Sequence, residues 1–188
     1  AAGFDAWSVD MKPDEKGSEF HFQGDVFLPI LLQEWDFIGL HPPCTALAVS
    51  GNAHYAEGKP LHRERVKAAR WTTALWDLAK ERAGRVYLEN PVGVLRREGA
   101  GFWKPSTVQP YNFGHNASKA TCLWLHGLPP LQPTQRVPGR IIGGKERWDN
   151  QTDRGQNKLG PSPQRQTERS RTYPGIADAM VEQWGPLV

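Results

Sequence analysis

Two stretches decide how this chain is read: HPPCTALAVSG (His41 to Gly51) and LENPVGVL (Leu88 to Leu95), each just after an apolar run. WDFIGL (Trp35 to Leu40) predicts a short buried strand. Pro42 and Pro43 stop it, because proline has no amide hydrogen for a ladder, so Cys44 is expected in a loop at the strand's carboxyl end. RVYLE (Arg85 to Glu89) predicts a second strand, closed by Glu89 and lying beside the first. The carboxyl ends of strands are where open α/β sheets carry their chemistry.

Between the two stretches, LHRERVKAARWTTALWDLAKER (Leu61 to Arg82) sets Val66, Ala69, Thr73, Leu75, Trp76 and Leu78 near helical spacing, with Pro60 before it and Gly84 after it. Outward from this unit, Ala6 to Asp10 reads as a strand and Val26 to Leu32 as a short helix or turn. An irregular stretch runs to Ser106, and Thr121 to Leu125 reads as a strand. A last helix is expected from about Pro174 to Trp184, with proline at its first position. Strands alternating with helices predict an α/β, doubly wound sheet, and no internal repeat interrupts it.

Composition bounds the class. A chain of 188 residues, 38% hydrophobic and 23% charged, is expected to form a single domain over 1–188 with a real core. No apolar run approaches the roughly 20 residues that span a bilayer, and no secretory pattern opens the sequence, so no membrane partner is expected. Two cysteines, Cys44 and Cys122, argue against a disulfide scaffold and for a reduced, cytoplasmic setting. Net charge is +3, but Gln132 to Thr172 carries nine basic and four acidic residues. That segment is rich in Gly, Pro, Gln and Asn. It reads as a basic, flexible insert at about 132–172, suited to phosphate contacts or simply solvated.

A cysteine and a carboxylic acid at neighbouring strand ends are the minimal kit for one reaction of a cytosine ring. A thiolate adding to C6 makes C5 enamine-like if an acid supplies a proton or hydrogen bond at N3. A free thiol ionises near about pH 8.5, so Cys44 needs nearby positive charge or backbone N–H groups.

The order PPC (Pro42 to Cys44), then EN (Glu89 and Asn90), resembles the catalytic core of the DNA cytosine-C5 methyltransferases, more closely a short, phage-type branch. AAGFDAWSVD (Ala1 to Asp10) is similar to the segment whose terminal acidic residue holds the cofactor ribose, here Asp10. QGDV (Gln23 to Val26) resembles the next cofactor motif, here Asp25. QPYNFGHNASKATCLWL (Gln109 to Leu125) is similar to a later segment, with Lys119 in the place of an arginine. RSRTYPGIADAMVEQWG (Arg169 to Gly185) resembles the helix that completes the cofactor pocket.

The resemblance implies a Rossmann-like sheet of the S-adenosylmethionine-dependent methyltransferase type, here without the first strand, its Gly-rich turn or a large target-recognition domain. Pro91 stands where the family usually has Val. It implies S-adenosylmethionine as cofactor and DNA, or a pyrimidine nucleotide, as partner. Cys44 is the expected nucleophile, Glu89 the N3 acid and Asn90 part of the scaffold. Asp10 and Asp25 are the expected cofactor contacts, and Pro43, Ser50, Lys119, Arg140 and Lys145 the expected substrate contacts.

Each residue has a plainer reading. Cys44 can be a small buried hydrophobe, Glu89 an arginine partner, Ser50 part of a turn and Lys119 a surface lysine. Two other function classes stand beside the enzyme. One is a non-catalytic nucleic-acid-binding module on a degenerate methyltransferase fold, and the other a related pyrimidine-modifying enzyme that transfers another group. A zinc deaminase, suggested by His41, His54 and His62 around Cys44, lacks its H-x-E and P-C-x-x-C pattern, and no metal is expected. Trp71, Trp76 and Trp103 offer stacking surfaces for single-stranded bases, although the first two fall on the long helix and read as core.

Overall fold

The computed structural model describes residues 3–95, 104–160 and 172–188. In chain order its elements are β1 (Ser8–Asp10), β2 (His21–Gln23), α1 (Phe27–Leu32), β3 (Ile38–Leu40), α2 (Asn52–Tyr55), α3 (His62–Arg82), β4 (Val86–Pro91), β5 (Ser106–Val108), β6 (Thr121–His126), β7 (Arg140–Ile142), β8 (Lys145–Arg147) and α4 (Pro174–Trp184).

The central sheet has four strands in the order β3-β4-β6-β5. β3 and β4 pair in parallel, Leu40 opposite Leu88, with α3 as the crossover between them. β6 runs antiparallel to both β4 and β5, so it alone is reversed. The link from β5 to β6 holds only a 3-10 turn at Pro110–Asn112, and without a crossover helix the next strand must return antiparallel. The carboxyl ends of β3, β4 and β5 therefore share one rim with the amino end of β6. At the opposite rim the chain passes tightly. Gly127 has φ +64°, and a Cβ there would lie 2.0 Å from the Gly84 carbonyl oxygen, so only glycine fits.

Alternation along β4 sorts the layers. Val86, Leu88 and Asn90 are buried while Tyr87 and Glu89 are half-buried on the other face. One face packs Leu40, Val86, Leu88, Cys122 and Trp124 against Ala69, Leu75, Trp76 and Ala79 of α3 and Ile30 of α1. The other packs Val108, Leu123, Tyr87 and Leu125 against Ile176, Ala179 and Trp184 of α4. Helices on both faces, and the neighbouring strands before Cys44 and Glu89, agree with the sequence reading. The sheet itself is mixed and four-stranded. β1 and β2 pair only with each other, in a separate two-stranded parallel sheet.

α3 follows its sequence signals: Glu64 lies in the first turn and Lys80 and Arg82 in the last, complementing the helix dipole, and Ala83 is extended. Its inner face is Arg65, Ala69, Thr72, Leu75, Trp76 and Ala79. The expected stripe is corrected at Val66, Thr73 and Leu78, which are only partly buried, because Arg65 occupies the inward position in the first turn.

The basic segment is also corrected. Over 140–157 it is not a structureless loop: β7 and β8 form a hairpin turning at Gly143 and Gly144. Trp148 is buried and stacks on Tyr111 at 3.8 Å and 6°, with the Arg136 guanidinium 4.6 Å from the Tyr111 ring centre. Aromatic stacking gives this small unit its core. Arg165, Arg169 and Arg171, with the beginning of the last resemblance segment, lie outside the described residues. Among the described residues no helix is long and apolar enough to cross a membrane.

Candidate functional site

The loop after β3 and the loop after β4 are joined. Asn90, 1% exposed, donates from Nδ2 to the Pro42 carbonyl at 2.9 Å. Beyond Cys44 the chain turns, and the Cys44 carbonyl accepts from the amides of Leu47 and Ala48 at 3.0 and 2.8 Å. The Val49 amide then donates to Val92 and the Val94 amide to Leu47, at 3.0 and 2.9 Å. Gly93 permits this approach, since a Cβ there would lie 2.3 Å from the Leu47 oxygen. The stretches singled out by sequence thus form one zipped unit at one sheet rim.

Cys44 is exposed, which removes the buried-hydrophobe reading, whereas Cys122 is buried on β6. Neither cysteine is in a disulfide. Glu89 pairs not with an arginine but with His41, whose Nδ1 lies 3.4 Å from Oε2. The other ring nitrogen of His41 is 2.8 Å from the Tyr87 hydroxyl. Burial, and secondarily the Glu89 charge, pushes that hydroxyl up to about 12, so Tyr87 is neutral at any physiological pH. Asn90 Oδ1 is buried without a hydrogen-bond partner among the described residues. An orphan of that kind costs about 1–3 kcal/mol, which marks the Nδ2 contact to Pro42 as worth holding.

Beneath the Cys44 loop sits Arg65, 2% exposed. It donates from Nε to Ala46 O at 2.6 Å, from one terminal nitrogen to Asn52 Oδ1 at 2.9 Å and from the other to Ala48 O at 3.3 Å. These partners are neutral, so a buried positive charge is held two residues from the exposed thiol. Sequence reading missed Arg65, His41 as a Glu89 partner, and Tyr87. For Arg65 the signal was there: it begins the spacing continued by Ala69, Thr72, Trp76 and Ala79.

The remaining expected residues are spread more widely. Pro43 is exposed and borders a shallow depression of about 320 Å³ with Glu64, Lys67, Ala68, Trp71 and Thr72. That depression lies on the α3 side, whereas Glu89 faces the α4 side, so Glu89 does not line it. Ser50 is exposed in a 3-10 turn, Val49–Gly51, consistent with the turn reading. Lys119 precedes β6 at the same rim. Its amide donates to Gln109 Oε1 at 3.0 Å and its ammonium lies 6.0 Å from the Tyr173 ring centre.

The Arg140 guanidinium is engaged within the hairpin by Trp148 O, Gln151 O and Asp153 Oδ1. Lys145 is exposed on β8. Asn150 bonds to Ser118 at both N–H and C=O, 2.9 Å each, so the basic hairpin is anchored one residue from Lys119. Trp76 is buried as expected, and Trp71 is 40% exposed with Phe27 edge-on to it. Trp103 lies outside the described residues.

Asp10 and Asp25 are exposed carboxylates that close local turns, accepting from the amides of Lys12 at 2.8 Å and Phe27 at 3.0 Å. They sit outside the central sheet, Asp10 at the end of the separate β1–β2 pair and Asp25 just before α1. No group of three or more His, Cys, Asp or Glu residues is placed to hold a metal ion among the described residues. No protein-family model matches this chain, and comparison with curated proteins and with solved structures finds no match.

Proposed function

We propose that this chain is a cytosine-C5 methyltransferase-like enzyme whose Cys44 adds to C6 of a cytosine in DNA or in a pyrimidine nucleotide. The observation that carries the reading is that the loop bearing exposed Cys44 is tied to β4 at one rim of the sheet, by the Asn90 to Pro42 hydrogen bond on one face and by the His41 to half-buried Glu89 contact on the other. The Cys44 thiolate forms an Sγ–C6 bond, the ring electrons move through C5 and C4 to N3, and N3 takes a proton from Glu89. The resulting enamine carries its nucleophilic carbon at C5. Arg65 holds the backbone just beyond Cys44 through the Ala46 and Ala48 carbonyls, and so fixes the loop that presents the thiol. The fold this implies is the Rossmann-like methyltransferase type. S-adenosylmethionine is the methyl donor implied by the resemblance, and Asp10 and Asp25, its implied contacts, spend their carboxylates on the local amides of Lys12 and Phe27.

Release of tritium from cytosine labelled at C5 tests the reaction without a methyl donor. The enamine takes a proton from water, loses the label, and expels Cys44 as the Sγ–C6 bond breaks and Glu89 regains its proton. Release from DNA or from the nucleotide that vanishes in Cys44→Ala is the expected result. A folded protein with reduced Cys44 that releases none from either substrate would overturn the reading.

A second reading, a non-catalytic nucleic-acid-binding module, is favoured by one observation: the basic hairpin anchored beside Lys119. It gains if Cys44→Ala binds DNA as the parent does while neither releases tritium.

A further inference from the structure

His41 stands directly before the two prolines, and the proposed chemistry gives it no role. Its side chain is 54% exposed, against 27% for Glu89. Its ring is fixed from two directions. Nε2 is 2.8 Å from the Tyr87 hydroxyl, and the Tyr87 ring meets the imidazole edge-on at 5.4 Å and 84°. Tyr87 is in turn held by Phe37 and Trp184, at 5.7 and 5.5 Å between ring centres. The remaining nitrogen, Nδ1, is thereby aimed at Glu89 Oε2, 3.4 Å away.

This arrangement answers a difficulty in the reaction. The acid at N3 must carry a proton, yet an unassisted carboxyl is almost wholly ionised at pH 7. An imidazole is half protonated near about pH 6.5 and exchanges its proton with solvent. We infer that His41 is a positioning residue that reloads the Glu89 carboxyl with the proton it delivers to the pyrimidine ring, with Tyr87 holding the imidazole in line. The inference rests on the cytosine-addition reading.

One proton moves. The Nδ1–H bond of the imidazolium breaks and an O–H bond forms at Glu89 Oε2, turning imidazolium and carboxylate into imidazole and carboxylic acid with no change in total charge. Nε2–H donates to the neutral Tyr87 oxygen before and after. Once Glu89 has given its proton to N3, exposed His41 takes another from water. The 3.4 Å separation is long for such a transfer, as catalytic contacts commonly are before substrate tightens them. The titratable groups in contact with His41 are Tyr87 and Glu89, both from β4. The α4 residue packed behind Tyr87 is Trp184, which does not titrate.

The test is the pH profile of tritium release for the parent, His41→Gln and Tyr87→Phe, with His54→Gln, exposed on α2, as a histidine control. At pH 7.5, His41→Gln is expected to slow release roughly ten- to a hundredfold with little change in KM. At pH 5.5, where hydronium is about a hundredfold more abundant than at pH 7.5 and competes with His41 as the proton source, the deficit should shrink to about threefold or less by the same reasoning. Tyr87→Phe should show a milder form of the same profile, and His54→Gln none. A His41→Gln deficit equal at both pH values, or no deficit, overturns the inference while the cytosine-addition reading survives.

A second readout needs no substrate. By NMR, the His41 ring and the Glu89 carboxyl carbon should share a titration, and Glu89→Gln should alter the His41 curve while Cys44→Ala leaves it in place. Independent titration overturns the inference even if release is normal. A shared titration in a protein that releases no label overturns the role in catalysis, and locates the failure in the cytosine-addition reading rather than in the contact.

Discussion

Replacing Gly93 by alanine would push a methyl group into the seam between the two loops. The added Cβ would lie 2.3 Å from the Leu47 oxygen, 3.0 Å from its carbonyl carbon and 3.3 Å from the Ala48 Cα. All three are backbone atoms, so no side chain can swing aside. Ordinary contact begins near 3.4 Å, and the loops must part by about 1 Å. That separation breaks the hydrogen bonds from Val94 to Leu47 and from Val49 to Val92. Each is worth about 1 kcal/mol net, and the groups left behind are at least partly shielded, because Leu47 is 0% and Val94 7% exposed. The expected loss is about 2–4 kcal/mol, read from the urea midpoint. Gly84→Ala is the control, since a Cβ there meets nothing within 4 Å, and it should change stability by less than about 0.5 kcal/mol. Amide exchange at Val49 and Val94 should quicken in Gly93→Ala ahead of the β4 amides. A Gly93→Ala protein as stable as Gly84→Ala, with these amides unchanged, would refute the zipped-loop account.

Tyr87 gives an alkaline signature. Its hydroxyl is held up to about 12 in the folded chain against about 10 when unfolded. Its contribution is therefore complete below pH 10 and is lost as pH rises through 12, by about 2–3 kcal/mol in all. Tyr87→Phe should flatten that part of the urea-midpoint profile, and an unchanged slope would count against the burial of the hydroxyl. Arg65→Lys keeps the charge but not the fork that reaches Ala46, Ala48 and Asn52. It should cost about 2–4 kcal/mol in denaturant unfolding, and a loss below about 1 kcal/mol would show that the guanidinium does not hold the loop. A thiol reagent should titrate one cysteine in the native protein and two after unfolding, because Cys44 is exposed and Cys122 is 4% exposed. Two fast thiols in the native state would contradict the sheet packing.

What could be read in advance follows from range. The proline stop after β3, the proline and glycine around α3 and the apolar run of β6 are local signals, and they place Cys44 in the loop after β3 beside the neighbouring strand β4; Glu89, expected to close that strand, lies inside it, because β4 runs on to Pro91 and Glu89 pairs with Leu123. β1, β2 and β5 have three residues each, too short for a period-two pattern to stand out, and β2 and β5 were not foreseen. The hairpin was missed because its core is not aliphatic: one stacked pair, Tyr111 and Trp148, joins residues 37 apart in sequence. The hairpin partners of Arg140 were hidden for the same reason, since they are backbone carbonyls that leave no mark in the sequence. His41 was weighed only as a metal ligand. Its link to Tyr87 and Glu89 depends on strand register, which follows from Leu40 pairing with Leu88 and is invisible along the chain.

The Gly84 to Gly127 crossing has a consequence for how this architecture can be altered. Strand register is clamped where β6 ends and β4 begins, at the margin farthest from Cys44. The Cys44 margin is held separately, by the backbone bonds from Val49 to Val92 and from Val94 to Leu47. The two margins therefore fasten the same strands independently, and loosening one should leave the ladder at the other in step, which amide exchange along β4 would report.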